Sequence, residues 1–178
     1  PHACIYVQTM PHLLAPIRAA GLGLPEENII AEPCKRNTAG CLCYAAAHLL
    51  AKHGHKGAEI SMAVVPADPV VGDDRRFREA VDAAMAAAES EPLLCTIGIA
   101  PDRPATGYGY IQADLKDVAE PMHALPVLGF KEKPSLDAAG AYLESGDYLW
   151  NSGMFFWRVS TFLEEFEQVN PAFATATR

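Results

Sequence analysis

The chain has 178 residues, 50% hydrophobic and 20% charged, a balance that excludes wholesale disorder and suits a single domain, 1–178, with a real core. With 14 Lys and Arg against 22 Asp and Glu, a net charge of -8 and no basic block make it a poor partner for nucleic acid. No apolar run approaches the ~20 residues of a membrane span, and five cysteines without a CxxC pair read as reduced thiols of a cytoplasmic protein rather than a disulfide or zinc scaffold.

The apolar period switches repeatedly between strand and helix. Ala3 to Val7 predicts a short buried strand. Pro11 to Ala20 predicts a helix, with Thr9 as N-cap and Gly21 as stop. Asn28 to Ala31 predicts a second strand, and Thr38 to His53 an Ala- and Leu-rich helix closed by Gly54. Ile60 to Val65 lacks alternation, which predicts a strand buried on both faces. Asp73 and Asp74 open a helix to about Ala88, their charge at its positive end. Strands are predicted at Leu93 to Ile99, Gly107 to Ile111, Leu125 to Phe130 and Leu149 to Trp157. Helices are predicted at Leu136 to Leu143 and Val159 to Val169. Strand alternating with helix predicts an α/β fold, a mixed and mostly parallel sheet flanked by helices. Such sheets bind ligands beyond the carboxyl ends of their strands.

Five segments carry candidate chemistry, each with an ordinary structural counterpart. Glu32-Pro33-Cys34-Lys35-Arg36-Asn37-Thr38 opens a helix after a strand; Glu32, Arg36 and Asn37 offer an acceptor, a forked donor and an amide for a base edge or a phosphate. The same residues also make a capped turn, with Asn37 or Thr38 as the cap. Asp68, at the end of Val64-Val65-Pro66-Ala67-Asp68, is a carboxylate that suits Mg²⁺ on a nucleoside triphosphate, or else a turn. In Thr106-Gly107-Tyr108-Gly109-Tyr110, glycine lets a ligand approach the backbone, or simply makes a tight turn. Glu132 and Lys133, ahead of Pro134, suit sugar hydroxyls and a phosphate, or a solvated strand end. Asn151, within Trp150-Asn151-Ser152-Gly153, is a polar amide in an aromatic strand, which reads as a hydroxyl contact or as a β-bulge.

Taken together and in order, EPCKRNTAG, VVPADPV, ATGYGYI, FKEKP and WNSGMFFW resemble the bacterial mannose-1-phosphate guanylyltransferases, a family that includes bifunctional enzymes with a mannose-6-phosphate isomerase domain. The resemblance runs from about Asn28 to Phe173. It implies a Rossmann-like nucleotidyltransferase fold and the reaction of GTP with mannose 1-phosphate to give GDP-mannose and pyrophosphate. On that basis Asp68 binds Mg²⁺ and Lys133 holds the sugar phosphate. Glu132, Asn151, Gly109 and its neighbour Tyr108 line the sugar, and Glu32, Arg36, Asn37 and Thr38 lie near the nucleotide. Three positions depart from the family pattern: Pro69 replaces His, Ala105 replaces Glu and Lys35 replaces Gly. The family's Gly-rich loop GGxGTRLWPLS does not occur in the sequence, and a second metal-binding Asp is expected beyond its last helix. The expectation is therefore an internal fragment of the nucleotidyltransferase domain, truncated at both ends and barely active alone. A pyrophosphorylase for glucose 1-phosphate with dTTP or UTP, and a non-catalytic nucleotide-sugar binding subunit, are the alternatives. A homo-oligomer is left open.

Overall fold

A computed structural model describes residues 2–34, 37–116 and 122–170. The fold packs as two compact units, Pro1–Ala58 with Phe166–Arg178, and Glu59–Glu165.

In the first unit, β1 (Val7–Thr9) pairs in parallel with β2 (Ile29–Ala31). The strand expected at Ala3 to Val7 starts later, because only Val7 to Thr9 has a partner, and His2–Cys4 forms a 3-10 turn. Thr9 is consequently a buried strand residue whose carbonyl accepts from the Glu32 N–H at 2.8 Å, and not the expected helix cap. The helix after it is a 3-10 turn, Pro11–Leu13, leading into α1 (Leu14–Ala19). Asn28 ends a 3-10 turn ahead of β2 and is fully buried. Its amide donates to the Ala3 and Ile5 carbonyls, and its Oδ1 accepts from Lys52 Nζ at 2.9 Å. α2 (Asn37–His53) buries Leu42, Cys43, Ala46 and Leu49, a stripe at helical spacing, and ends before Gly54.

The second unit is organised around one long strand. β7 (Tyr148–Arg158) pairs antiparallel with β3 (Ser61–Val64), β4 (Cys95–Ile99) and β5 (Tyr110–Gln112); β5 pairs antiparallel with β6 (Gly129–Lys131), an edge strand. Phe155 faces Val64 on one edge of β7 and Thr96 on the other, while Trp150 faces Tyr110 and Ile99. β4 thus takes one edge alone, and β3 and β5 share the opposite one. Strand pairing in the chain is mixed, as expected, but among the described residues only β1–β2 is parallel, so the expected parallel majority is absent. The reason is connectivity: β7 returns between strands that run the other way. β3 also departs from expectation. Met62 is buried and Ala63 exposed, so one face is open where two buried faces were expected.

α3 (Asp74–Ser90) starts where the carboxylate of Asp73 accepts from the Arg75 and Arg76 N–H groups, both at 3.0 Å. Its Phe77, Val81, Ala84, Met85 and Ala88 fall on one helical face and pack in one cluster with Phe156, Met154, Cys95 and Ile97. α4 (Leu136–Ser145) is capped by Ser135 and stopped by Gly146 in the left-handed region. It brings Ala139 and Tyr142 onto Tyr110, Trp150 and Tyr148. α5 (Val159–Val169) follows β7 directly, and Trp157 stacks on Phe162 with ring centres 4.7 Å apart. No helix among the described residues is long and apolar enough to cross a membrane.

The cysteines are all free, Cys4 and Cys34 exposed and Cys43 buried. Burial pushes the Cys41 thiol up from 9.0 to about 11, helped by the hydrogen bond and negative charge of Glu32. Burial alone lifts Cys43 to about 11. Both thiols keep their protons in the folded chain after an unfolded chain has lost them. Their contribution to stability is therefore complete below pH ~9 and fades as pH rises from ~9 through ~11. We expect a thiol reagent at pH 8 to modify Cys4 and Cys34 quickly and Cys41 and Cys43 only on unfolding. Mass spectrometry of the labelled peptides reads this directly, and equal labelling rates would contradict it.

Candidate active site

The β5, β6 and β7 ends of the second unit bring three of the expected residues together. A side chain on Gly109 would meet Glu132 Oε2 at 3.0 Å and Asn151 Cβ at 3.7 Å. The bare glycine is what allows the Glu132 carboxylate to lie across this backbone. Pairing holds the arrangement: Tyr110 is in register with Lys131 and with Trp150, and the Asn151 N–H donates to the Gly109 carbonyl at 2.8 Å. Lys133 follows with φ +40, a left-handed conformation that costs a non-glycine residue ~1 kcal/mol. Its Nζ lies 3.7 Å from Glu132 Oε1. Both side chains are exposed, so this ion pair is weak and leaves each charge available to a ligand.

The Asn151 amide is oriented by its surroundings. Oδ1 accepts from the Gly153 N–H at 3.0 Å, so Nδ2 must be the outward group. Nδ2 has no partner among the described residues and is not sealed in. Thr96 and Phe155 are paired, as are Gly98 and Asn151, so two steps along β4 face four along β7. The bulge that the sequence allowed is therefore present. Gly153, at φ +71, forms its crest, and a side chain there would touch Pro66 at 3.4 Å.

Pro66 begins the turn that carries Asp68. The sequence put Asp68 at the end of a buried strand; β3 instead stops at Val64 and Asp68 is exposed. Its carboxylate makes no hydrogen bond or ion pair with a described residue, and no cluster of three metal-ligating side chains occurs among them. Tyr108 is 45% exposed and meets Trp150 edge-on at 5.1 Å. The Arg103 guanidinium lies 5.0 Å from the same Trp150 ring. Ala105 packs on this aromatic cluster, and its carbonyl accepts from the Tyr110 hydroxyl at 2.9 Å. Sequence reasoning missed Thr96 and Arg103. A lone Thr in the apolar strand Cys95-Thr96-Ile97 was the available sign for the first.

The remaining candidates belong to the first unit. Glu32 is half-buried with its carboxylate beside Cys41 of α2. Asn37, at φ +48, and Thr38 are exposed at the start of α2, and their side chains make no hydrogen bond to a described residue. Arg36 lies outside the described residues.

The profile of the nucleotidyl transferase family matches residues 3–178. The chain belongs to that family. Among known nucleotidyl transferases it is similar to the mannose-1-phosphate guanylyltransferase of Escherichia coli K12, with 46% identity over 146 residues, 82% of this chain and 30% of the relative. It is 41% identical over 176 residues to the xanthan biosynthesis protein XanB of Xanthomonas campestris, covering 98% of this chain and 36% of XanB. A crystal structure from Thermus thermophilus, named mannose-1-phosphate geranyltransferase, superposes with a TM-score of 0.80 at 32% identity, over 96% of this chain and 47% of that one. The chain thus spans about a third of the length of the curated relatives it matches. The expected α/β nucleotidyltransferase fold is borne out by the family match and by this structural likeness.

Proposed function

We propose that the chain belongs to an enzyme that transfers GMP from GTP to mannose 1-phosphate, releasing GDP-mannose and pyrophosphate in the cytoplasm. The observation that carries this reading is the meeting of Gly109, Glu132 and Asn151. A carboxylate acceptor and a free amide donor across a bare glycine suit the hydroxyls of a sugar. The likeness to a relative named mannose-1-phosphate guanylyltransferase supports mannose and guanine over other pairs. The family match runs through both compact units, which supports reading them as one nucleotidyltransferase domain.

In this reaction a phosphate oxygen of the sugar phosphate attacks the α-phosphorus in line. The new P–O bond forms as the bond to the bridging oxygen breaks, and pyrophosphate leaves with that electron pair. No side-chain nucleophile is required; alignment and neutralisation of charge do the work. Glu132, Asn151 and the backbone at Tyr108 and Gly109 orient the sugar. Lys133 holds its phosphate as a point charge. Glu32, Arg36, Asn37 and Thr38 serve the nucleotide. The exposed carboxylate of Asp68, without a partner among the described residues, fits Mg²⁺ carried on the nucleotide, since this ion takes one or two carboxylates beside substrate phosphates and keeps several waters. When bound, Mg²⁺ supplies charge neutralisation at the phosphates.

Pyrophosphate release by the product of the whole open reading frame, with GTP and mannose 1-phosphate, tests the proposal. Turnover with that pair is expected. Turnover only with UTP or dTTP and glucose 1-phosphate would replace it with a related pyrophosphorylase. No turnover with any pair would replace it with a binding protein. In the active protein, Lys133→Ala is expected to raise the sugar-phosphate KM tenfold or more at ~1.5 kcal/mol for a lost charged contact. The kcat should move little, because the contact exists before the reaction. A change confined to the GTP KM would misplace Lys133.

A further inference from the structure

We propose that Thr96 is a positioning residue, which clasps the β7 bulge so that Asn151 Nδ2 is presented to a sugar hydroxyl. The inference rests on the sugar-binding reading of Asn151. The Thr96 hydroxyl lies 2.8 Å from the Met154 carbonyl and 3.2 Å from Asn151 Oδ1. One side chain on β4 therefore reaches both ends of the extra loop in β7, its entry at Asn151 and its exit at Met154. Inside the loop, Asn151 Oδ1 accepts from the Gly153 N–H and the Ser152 hydroxyl accepts from the Met154 N–H at 3.1 Å. Those two contacts are local to β7. The two Thr96 contacts are the side-chain hydrogen bonds that tie the loop to a neighbouring strand.

The consequence concerns which end of the amide faces out. An amide at the surface of a bulge flips easily unless its oxygen is claimed. The Gly153 N–H donates to Oδ1, and the single Thr96 hydroxyl proton, bonded at 2.8 Å to the Met154 carbonyl, reaches Oδ1 only as the longer branch at 3.2 Å, so the flipped form would set NH₂ against the Gly153 N–H and forfeit that branch. Nδ2 is thereby left as a donor without a partner among the described residues, on a side chain whose Cβ, like Glu132 Oε2, lies beside Gly109. A valine at 96 keeps the shape of threonine and removes the hydroxyl, so the Met154 carbonyl at the exit of the loop loses its Thr96 partner and Oδ1 loses the longer branch of that bond.

The test compares Thr96→Val with Thr96→Ser in the product of the whole open reading frame. Thr96→Val is expected to raise the mannose 1-phosphate KM about tenfold while the GTP KM changes less than about twofold, and Thr96→Ser is expected to restore the wild-type value. A second readout needs no substrate: the side-chain amide pair of Asn151 in a ¹⁵N–¹H spectrum, assigned by its loss in Asn151→Ala. Thr96→Val should move this pair and Thr96→Ser should leave it near its wild-type position. An unmoved pair in Thr96→Val, or a serine that fails to restore it, overturns the proposal even if the wild-type protein turns over no sugar phosphate. If Thr96→Val does not fold, Thr96→Ala takes its place with the same expected outcomes. A wild-type protein that is inactive with mannose 1-phosphate but shows the expected amide shifts would refute the sugar reading and leave the clasp standing.

Discussion

Asp68→Ala in the active protein is expected to lower turnover of GTP and mannose 1-phosphate by about a thousandfold, the equivalent of ~4 kcal/mol of lost charge stabilisation. Asp68 is exposed and bonded to no described residue, so folding has little reason to change. The loss should therefore belong to the chemistry. Far-UV circular dichroism and the unfolding midpoint should match wild type, while the dependence of rate on Mg²⁺ concentration should weaken or vanish. A rate within tenfold of wild type, at saturating Mg²⁺, would show that the ion is held elsewhere. Asp68→Asn should behave similarly, since it keeps the shape and removes the charge.

Phe156→Ala carries the largest expected effect on stability, a loss of about 3–5 kcal/mol. Phe156 has no exposed surface and packs in the cluster with Ala88 and Met154, which Phe77, Val81, Met85 and Ile97 surround. It is also paired on both edges of β7, with Ala63 and with Cys95, so the cavity would open at the centre of the sheet. A domain of ordinary stability has ~5–15 kcal/mol in total, so this one substitution approaches the whole margin. Urea unfolding with the midpoint and slope fitted together measures it. Phe130→Ala is the matched control: Phe130 is 57% exposed on the edge strand β6, and its loss should stay within ~0.5 kcal/mol. Equal costs for the two would mean that the core lies elsewhere.

The helices were legible because their ends are written in local chemistry. Asp73 opens α3 and Gly54 stops α2 as expected, and α5 runs from Val159 to Val169 as predicted; Ser135 and Gly146 do the same for α4. The strands were less legible. A strand ends where its partner ends, and the partner is remote in sequence: β6 is confined to Gly129–Lys131, and 125–128 stays irregular with Leu128 64% exposed. Pairing direction was not legible at all, since the antiparallel placement of β7 between β3 and β4 depends on connectivity. The candidate site divides the same way. Gly109, Glu132 and Asn151 each stood out within a short motif, but only the registers of β5, β6 and β7 join them. Thr96 escaped notice because its partners lie 55 and 58 residues away.

The central place of β7 also bears on how the chain is made. Among the described residues, β3 and β4 find hydrogen-bonded neighbours only in β7, the last of these strands to leave the ribosome. Thr96 and Met154 are 58 residues apart, so at ~5–20 residues per second β4 waits about 3–12 s for its partner. During that interval the nascent chain carries apolar strands with unfilled backbone groups, the state most open to aggregation and to capture by chaperones. Slowed translation upstream of residue 148 should therefore lower soluble yield, and the same pause placed after β7 should be harmless.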